Sequence, residues 1–393
     1  MEGNCRFAFI PEFKALKKNK RSGFQHSPKN GLNNWPEFEL GAADRKKFSA
    51  KIISWYTENK RSLPWRNTKD PYRIWLSEII LQQTRVAQGL PYYIKFIDRF
   101  PTVHSLAKSK EQEVLRLWQG LGYYSRARNL HLCAKEVVEK FQGNFPGNYD
   151  DLQKLRGIGS YTAAAIASIS FGEPVAVVDG NVFRVLSRVF GIDKDISQPR
   201  TKDFFFSLAN KLISKDQPDE FNQAIMEFGA IHCLPKNPLC EACIFKRKCI
   251  AYERDMQTVL PVKSKKQKIR KRYFYYFVFQ KGKKIAMRKR LGKDIWRGLF
   301  DFYLVETSKP KRIDKLVPEN ISLKKLEVEK VSKLYKHVLS HQHLMARFIL
   351  AGPSVLPSAL VRDGYIYQTV NEIKRLPKPV LILQYLRDEG ILV

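Results

Sequence analysis

LRGIGSYTAAAIASISFGEPVAVVDGNVFRV, residues 155–185, opens with a Gly-x-Gly turn, runs on through an Ala-rich segment of high helix propensity, and breaks at Gly172 and Pro174. It then delivers one carboxylate, Asp179, ahead of a second amphipathic run. Helix, Gly157-x-Gly159, helix reads as a helix-hairpin-helix. Both glycines are expected to take backbone angles closed to other residues, so that the hairpin can press its N–H groups against a phosphate at a helix N-terminus. An ordinary αα turn followed by a helix-capping Asp has the same local pattern. The flanking segments choose between the two.

Upstream, after Asp70-Pro71, comes YRIWLSEIILQQTRVAQ, apolar almost all round and therefore a buried helix. Glu78 lies in its middle, with Trp75 and Gln82 on the same face. A buried Glu is rare unless it is paired or functional, and Arg73 and Arg85 are the candidate partners. The spacing predicts further helices over PYYIKFIDRF, TVHSLAKSKEQEVLRLWQ and GLGYYSRARNLHLCAKEVVEKF. In the last, Gly120 and Gly122 flank Leu121, with Tyr123 and Tyr124 next and Arg126 and Arg128 beyond. Proteins that extrude bases push such apolar-aromatic wedges into the stack while arginines hold phosphates; a helix cap with two core tyrosines is the plain alternative. Cys133 reads as core.

Charge narrows the partner. Seventy Lys and Arg against 38 Asp and Glu leave a net +32 over 393 residues, the balance of a chain that meets nucleic acid or an anionic surface. No apolar run is long enough to span a bilayer and the N-terminus lacks a signal-peptide core, so nucleic acid is the expected partner, not membrane. Four of the six cysteines fall as Cys233-x6-Cys240-x2-Cys243-x5-Cys249. Zinc sites use two short Cys-x2-Cys pairs across a longer loop; here the spacings are all compressed, and four thiolates converging on one compact object suit a [4Fe–4S] cluster in a reducing compartment. The last loop, IFKRK, sets Lys246, Arg247 and Lys248 at its rim as phosphate contacts.

Five motifs now stand in one order: SEIILQQT with Glu78, GLGYYSRARNL, the hairpin leading to VDGN, FNQAIMEFGA, and the cysteine loop. In that order, over residues 44 to 262, the chain resembles the helix-hairpin-helix, iron–sulfur DNA glycosylases; SEIILQQT and Tyr161 point to the MutY-type adenine DNA glycosylases. Arg156 stands where the hairpin usually has Pro, and Phe183 where some relatives carry Lys. The resemblance implies two helical subdomains with the substrate base between them, and hydrolytic removal of adenine mispaired with 8-oxoguanine or guanine in double-stranded DNA. By the two-carboxylate logic of glycoside hydrolysis, Glu78 is the general acid and Asp179 stays ionised facing the sugar. The resemblance further implies that Tyr161 hydrogen-bonds within the site and that Asn181 orients Asp179. Gln83 and Thr84 would lie near the orphaned base, Leu121 and Tyr123 would form the wedge, and Trp65 and Arg66 would line the base pocket.

Domain organisation follows from composition. Residues 1–43 form a basic tail without periodicity, 44–262 the helical catalytic domain, 263–272 (KSKKQKIRKR) a basic tether, and 273–393 an α+β domain. There the period changes: YFYYFVFQ, KKIAMRKR, LFDFYLVE, KLYKHVLSHQ and HLMARFILA read as strands, with a terminal helix near 378–388. With IWRGLFDF as its best local match, this domain resembles the Nudix-like C-terminal domain of the same family without the acidic box that binds metal. It is therefore expected to recognise, with Ser340 and His341 reading the lesion. The whole reads as a monomeric, monofunctional enzyme placed with the DNA, at a bacterial nucleoid or in a nucleus or mitochondrion. The alternatives are another mismatch glycosylase, an endonuclease III-type glycosylase-lyase, and a non-catalytic iron–sulfur DNA-binding protein.

Overall fold

The computed structural model describes residues 40–264, 269–316, 326–352 and 356–392, so most of the basic tail and the centre of the tether lie outside the described residues. The helical domain runs through α1 (Ala42–Asn59), α2 (Pro71–Leu81), α3 (Val86–Arg99), α4 (Val103–Lys108), α5 (Glu111–Leu117), α6 (Tyr124–Phe141), α7 (Tyr149–Lys154), α8 (Ser160–Phe171), α9 (Gly180–Phe190), α10 (Pro199–Leu212), α11 (Pro218–Glu227) and α12 (Ile250–Glu253). The stretch TVHSLAKSKEQEVLRLWQ, expected as one helix, is two: Ser109 and Lys110 are extended between α4 and α5, and the Ser109 side chain turns back to Leu106 O.

The organising element is α8. Ala163, Ala164, Ala165, Ile166 and Ala167 are fully buried, and the four alanines let α2 and α11 pack closely on it. Gly157 supplies the hairpin's left-handed residue at φ 78°, and a Cβ there would press on Asn129. Gly159 does not need its freedom: it caps α8 at φ −94° in ordinary extended backbone, with open space where a Cβ would stand. Gly172 and Gly191 end α8 and α9 in left-handed conformations.

Among the described residues the second domain holds two sheets. In the first the order is β5 (Tyr303–Thr307), β1 (Arg270–Val278), β8 (Gln342–Ala351), β6 (Val328–Val331), with β7 (Tyr335–Val338) also paired to β8. β1 and β8 are parallel, register Tyr276 to Phe348; the other pairings are antiparallel. The second sheet runs β2 (Gln280–Lys281), β3 (Lys284–Lys289), β4 (Phe300–Asp301), with β9 (Ile366–Thr369) on β3. Helices α13 (Ser358–Arg362), α14 (Val370–Arg375) and α15 (Val380–Asp388) complete it, and Tyr385 of α15 stacks on Phe348 at 4.0 Å. β1 starts inside the expected tether: Arg272 is buried, forking to Asp294 and Glu306, so the last three residues of KSKKQKIRKR belong to the sheet. Charge alone hid this, because the acids that pair with Arg272 are 22 and 34 residues away.

Candidate active site

A cleft of about 180 Å³ opens between α2, α8, α9 and α11, and Glu78, Tyr161, Asp179, Asn181, Trp65 and Arg66 all line it. Asp70 caps α2 by accepting from Tyr72 N, and Pro71 occupies the first turn; the helix then carries Glu78 inward until it is 8 % exposed. Neither Arg73 nor Arg85 pairs with it: Arg73 reaches Asp70 instead. Burial pushes the Glu78 carboxyl up to about 7, a hydrogen bond from Tyr161 pulls against this, Asp179 adds to it, and Arg66 opposes it. Trp75, expected on the same face, turns into the core against Phe145 and Tyr72.

Asp179 is both a cap and a site residue. One carboxylate oxygen accepts from Asn181 N (2.8 Å) and Val182 N (2.9 Å), the other from Asn181 Nδ2 (2.7 Å). Burial raises its pKa, while these donors and Arg184 favour the ionised form. The α9 N-terminus thus supplies three donors and no acceptor, which suits a carboxylate. Asn181 is itself held: its Oδ1 accepts from Arg184 Nη2 (2.8 Å), whose guanidinium also donates to Gly229 O (2.6 Å) and Cys233 O (2.7 Å). The Tyr161 hydroxyl lies 3.1 Å from Met226 Sδ.

FNQAIMEFGA, residues 221–230, carries more than its sequence disclosed. Asn222, fully buried, accepts from Val177 N and donates to Val175 O and Ser168 Oγ, pinning the extended segment that leads to Asp179. Glu227, 1 % exposed, is clasped by Arg61 and by Arg66, each through two guanidinium nitrogens. Burial alone would raise its carboxyl; the two arginines bring it down to about 2. Arg66 is therefore a fixed wall of the cleft. Gly229 faces Asn181 so closely that a Cβ would stand 2.6 Å from the Asn181 Cβ. For Glu227 the only signal was a lone acid in an apolar run, and Asn222 and Gly229 gave none.

The four cysteines gather beside α9. Arg188 Nη1 donates to Cys233 Sγ at 3.4 Å and Phe245 N to Cys243 Sγ at 3.4 Å. Burial raises the Cys240, Cys243 and Cys249 thiols, Cys243 to about 11, and the neighbouring sulfurs add to each. Among the described residues no three His, Cys, Asp or Glu side chains are placed to hold a single metal ion. On the loop's rim Lys246 pairs with Glu241 and Lys248 lies 3.8 Å from Asp44, while Arg247 is exposed.

Of the expected DNA-facing residues, Gln83 is exposed at φ 53° and Tyr123 is 41 % exposed at φ 47°. Thr84 lines the cleft edge. Leu121, expected beside Tyr123 in the wedge, is 6 % exposed and packs into the core between left-handed Gly120 and Gly122. The two arginines, both partly exposed, make hydrogen bonds to protein: Arg126 donates to carbonyls at the end of α2, and Arg128 to Arg297 O at 2.7 Å. Tertiary packing brings Ser340 to Tyr123, whose hydroxyl donates to its Oγ at 2.7 Å; His341 Nδ1 is 3.2 Å from the same oxygen.

Known proteins resemble both domains. Residues 76–211 match the model of the HhH-GPD superfamily base excision DNA repair proteins, and 275–388 that of the NUDIX domain. The chain is 39 % identical over 304 residues to the adenine DNA glycosylase of Buchnera aphidicola subsp. Schizaphis graminum, covering 77 % of this chain and 85 % of that one. It belongs to the adenine DNA glycosylase family. Similarity to the human adenine DNA glycosylase is 44 % over 222 residues, 54 % of this chain and 41 % of that one. A solved thermostable thymine-DNA glycosylase is 32 % identical with a TM-score of 0.49, covering 53 % of this chain and 97 % of the other. The family's base-excision model spans both Glu78 and Asp179, and its Nudix model spans Ser340 and His341.

Proposed function

We propose that this chain excises adenine mispaired with 8-oxoguanine or guanine, acting on double-stranded DNA as a monomer wherever the genome is kept. The observation that carries the reading is one cleft with two buried carboxyl groups, of which only Asp179 is held by several backbone and side-chain N–H donors. Glu78 is buried and protonated up to about pH 7, and Asp179 is ringed by donors. Breaking a purine N-glycosidic bond needs a proton on the base and negative charge beside the sugar as its cation forms. With adenine extruded into the cleft, Glu78 delivers the proton to a ring nitrogen and Asp179 offsets the sugar's charge. Tyr161 and Asn181 hold the two carboxyls in place, and Trp65 and Arg66 bound the base.

Tyr161 stands where a glycosylase-lyase of the endonuclease III type carries its lysine, so water and not an amine takes the sugar, and the strand stays intact. Gln83, Thr84 and Tyr123 occupy the gap left by the base, while Arg156, the Gly157–Gly159 hairpin and the Lys246–Lys248 loop follow the phosphates. Ser340 and His341, exposed on the β7–β8 turn, meet the C8 and N7 edge of 8-oxoguanine.

Cys233, Cys240, Cys243 and Cys249 would hold a [4Fe–4S] cluster; the donor set is four mutually interacting thiols with an N–H and a guanidinium aimed at two sulfurs, the hydrogen bonds thiolates accept. The Cys233 carbonyl in the same loop accepts from Arg184 Nε, so a cluster held by these four residues would tie that loop to the partner of Asn181. Single-turnover cleavage of duplexes carrying A opposite 8-oxoguanine, G and C, with T and U opposite G, tests the reading. Excision confined to adenine in the first two supports it, and excision of T or U with adenine untouched defeats it.

A further inference from the structure

Arg126 sits on the first turn of α6, three residues after the exposed Tyr123, and its two terminal guanidinium nitrogens both hydrogen-bond to protein. Nη1 donates to Ile79 O (2.8 Å), Ile80 O (3.1 Å) and Gln82 O (2.5 Å), the carbonyls that end α2 within one turn of Glu78. Nη2 reaches Thr84 Oγ1 at 3.4 Å. The guanidinium carbon lies 5.1 Å from the Trp118 ring and 5.6 Å from the Tyr123 ring, so the arginine lies between the two aromatics and the helix end.

This arrangement is costly. No carboxylate pairs with Arg126 among the described residues, its Nε–H is buried without a partner, and desolvation brings its pKa down to about 10. A half-buried cation without a counter-ion adds little to the stability of a fold, and a Met or Leu would fill the space more cheaply. What the arginine supplies is direction: a planar fork fixed on one side by helix carbonyls and on the other by aromatic faces. Direction is what Tyr123 needs. It is held in the left-handed region at φ 47°, after Gly120 and Gly122 at φ 109° and 76°; the Trp118 indole N–H fixes the turn's backbone at Gly122 O, but the exposed Tyr123 ring itself is positioned by its contacts with Arg126 and Ser340. Its hydroxyl continues the chain of contacts to Ser340 in the second domain.

We propose that Arg126 is a positioning residue that sets the Tyr123 ring against the end of the helix carrying Glu78, so that the ring entering the base stack and the acid receiving the adenine are aligned by one side chain. The inference rests on the reading of the cleft as an adenine site. Its consequence is specific: Arg126 matters for adenine that must be extruded from a stacked duplex, and little for adenine already loose.

The test measures single-turnover excision on two duplexes, one with a stacked A·G mispair and one with adenine opposite an abasic gap. Arg126→Met should slow the first about tenfold or more and the second less than about threefold. Arg126→Lys, which keeps a donor but loses the planar stack, should fall between. Tyr123→Ser should show the same split, and the double variant R126M/Y123S should be no slower than Tyr123→Ser alone. A 2-aminopurine beside the adenine gives a readout without catalysis: Arg126→Lys should bind the duplex yet give a smaller fluorescence rise on unstacking. Equal slowing on both duplexes, no slowing on either, or losses that multiply in the double variant would overturn the proposal. A wild-type protein that releases adenine from neither duplex would instead bring down the reading of the cleft, and this inference with it.

Discussion

Glu78→Gln should make the protein more stable in alkali while destroying its activity. In the folded chain the Glu78 carboxyl stands at about 7 against an ordinary value of 4.5, chiefly because burial disfavours the anion. Between those values the folded protein holds a proton that the unfolded chain has released, so stability falls as pH rises from 4.5 through 7, and the penalty is complete above 7. A difference of that size corresponds to about 3 kcal/mol, of which about 2 kcal/mol or more is lost between pH 5 and pH 8.5. Glutamine fills nearly the same space and does not titrate. The stability difference between variant and wild type should therefore grow in the variant's favour by about 2 kcal/mol across that range, read from urea unfolding at each pH with the slope checked for constancy. In parallel, wild-type kcat/KM should fall as pH rises through about 7, because only the protonated carboxyl can donate. A stability difference that stays flat from pH 5 to 8.5 would show that Glu78 ionises normally and would refute the assignment of the acid.

Asp179→Asn should still bind A·G duplex but lose roughly three or more orders of magnitude in excision, checked by single-turnover rates beside a binding isotherm; near-normal rates would remove Asp179 from the chemistry. Product strands should remain intact until alkali or heat is applied, and efficient borohydride trapping of a protein–DNA adduct during turnover would contradict the absence of a lyase. Ser340→Ala with His341→Ala should weaken the preference for A·8-oxoguanine over A·G several-fold while sparing the A·G rate, the scale of one or two lost hydrogen bonds; an unchanged preference would move lesion reading to Gln83 and Thr84. Gly229→Ala places a Cβ against Asn181, and should slow excision with little change in duplex affinity, because what moves is the partner that holds Asp179.

Linear order was enough for the helical core and the two carboxyls. Ala163–Ala167, the Gly157 turn and the Asp179 cap are local features whose side chains and backbone angles act on their own neighbours, so their physics is written in consecutive residues. The cysteine spacing is equally local. What tertiary structure decided is where charge goes. Arg126 and Arg128 have the composition of phosphate contacts and spend themselves on carbonyls of α2 and of the second domain, because desolvated guanidinium groups settle wherever uncapped carbonyls meet them. Arg272 looked like tether and is buried between Asp294 and Glu306. Leu121, expected beside Tyr123 in the wedge, packs into the core between two left-handed glycines, while Tyr123 stays outside. Glu227 was silent in its apolar run because its partners, Arg61 and Arg66, lie more than 160 residues away. Spacing reveals interactions a few residues long; a buried ion pair or a domain contact is settled only when distant segments close around it and exclude water.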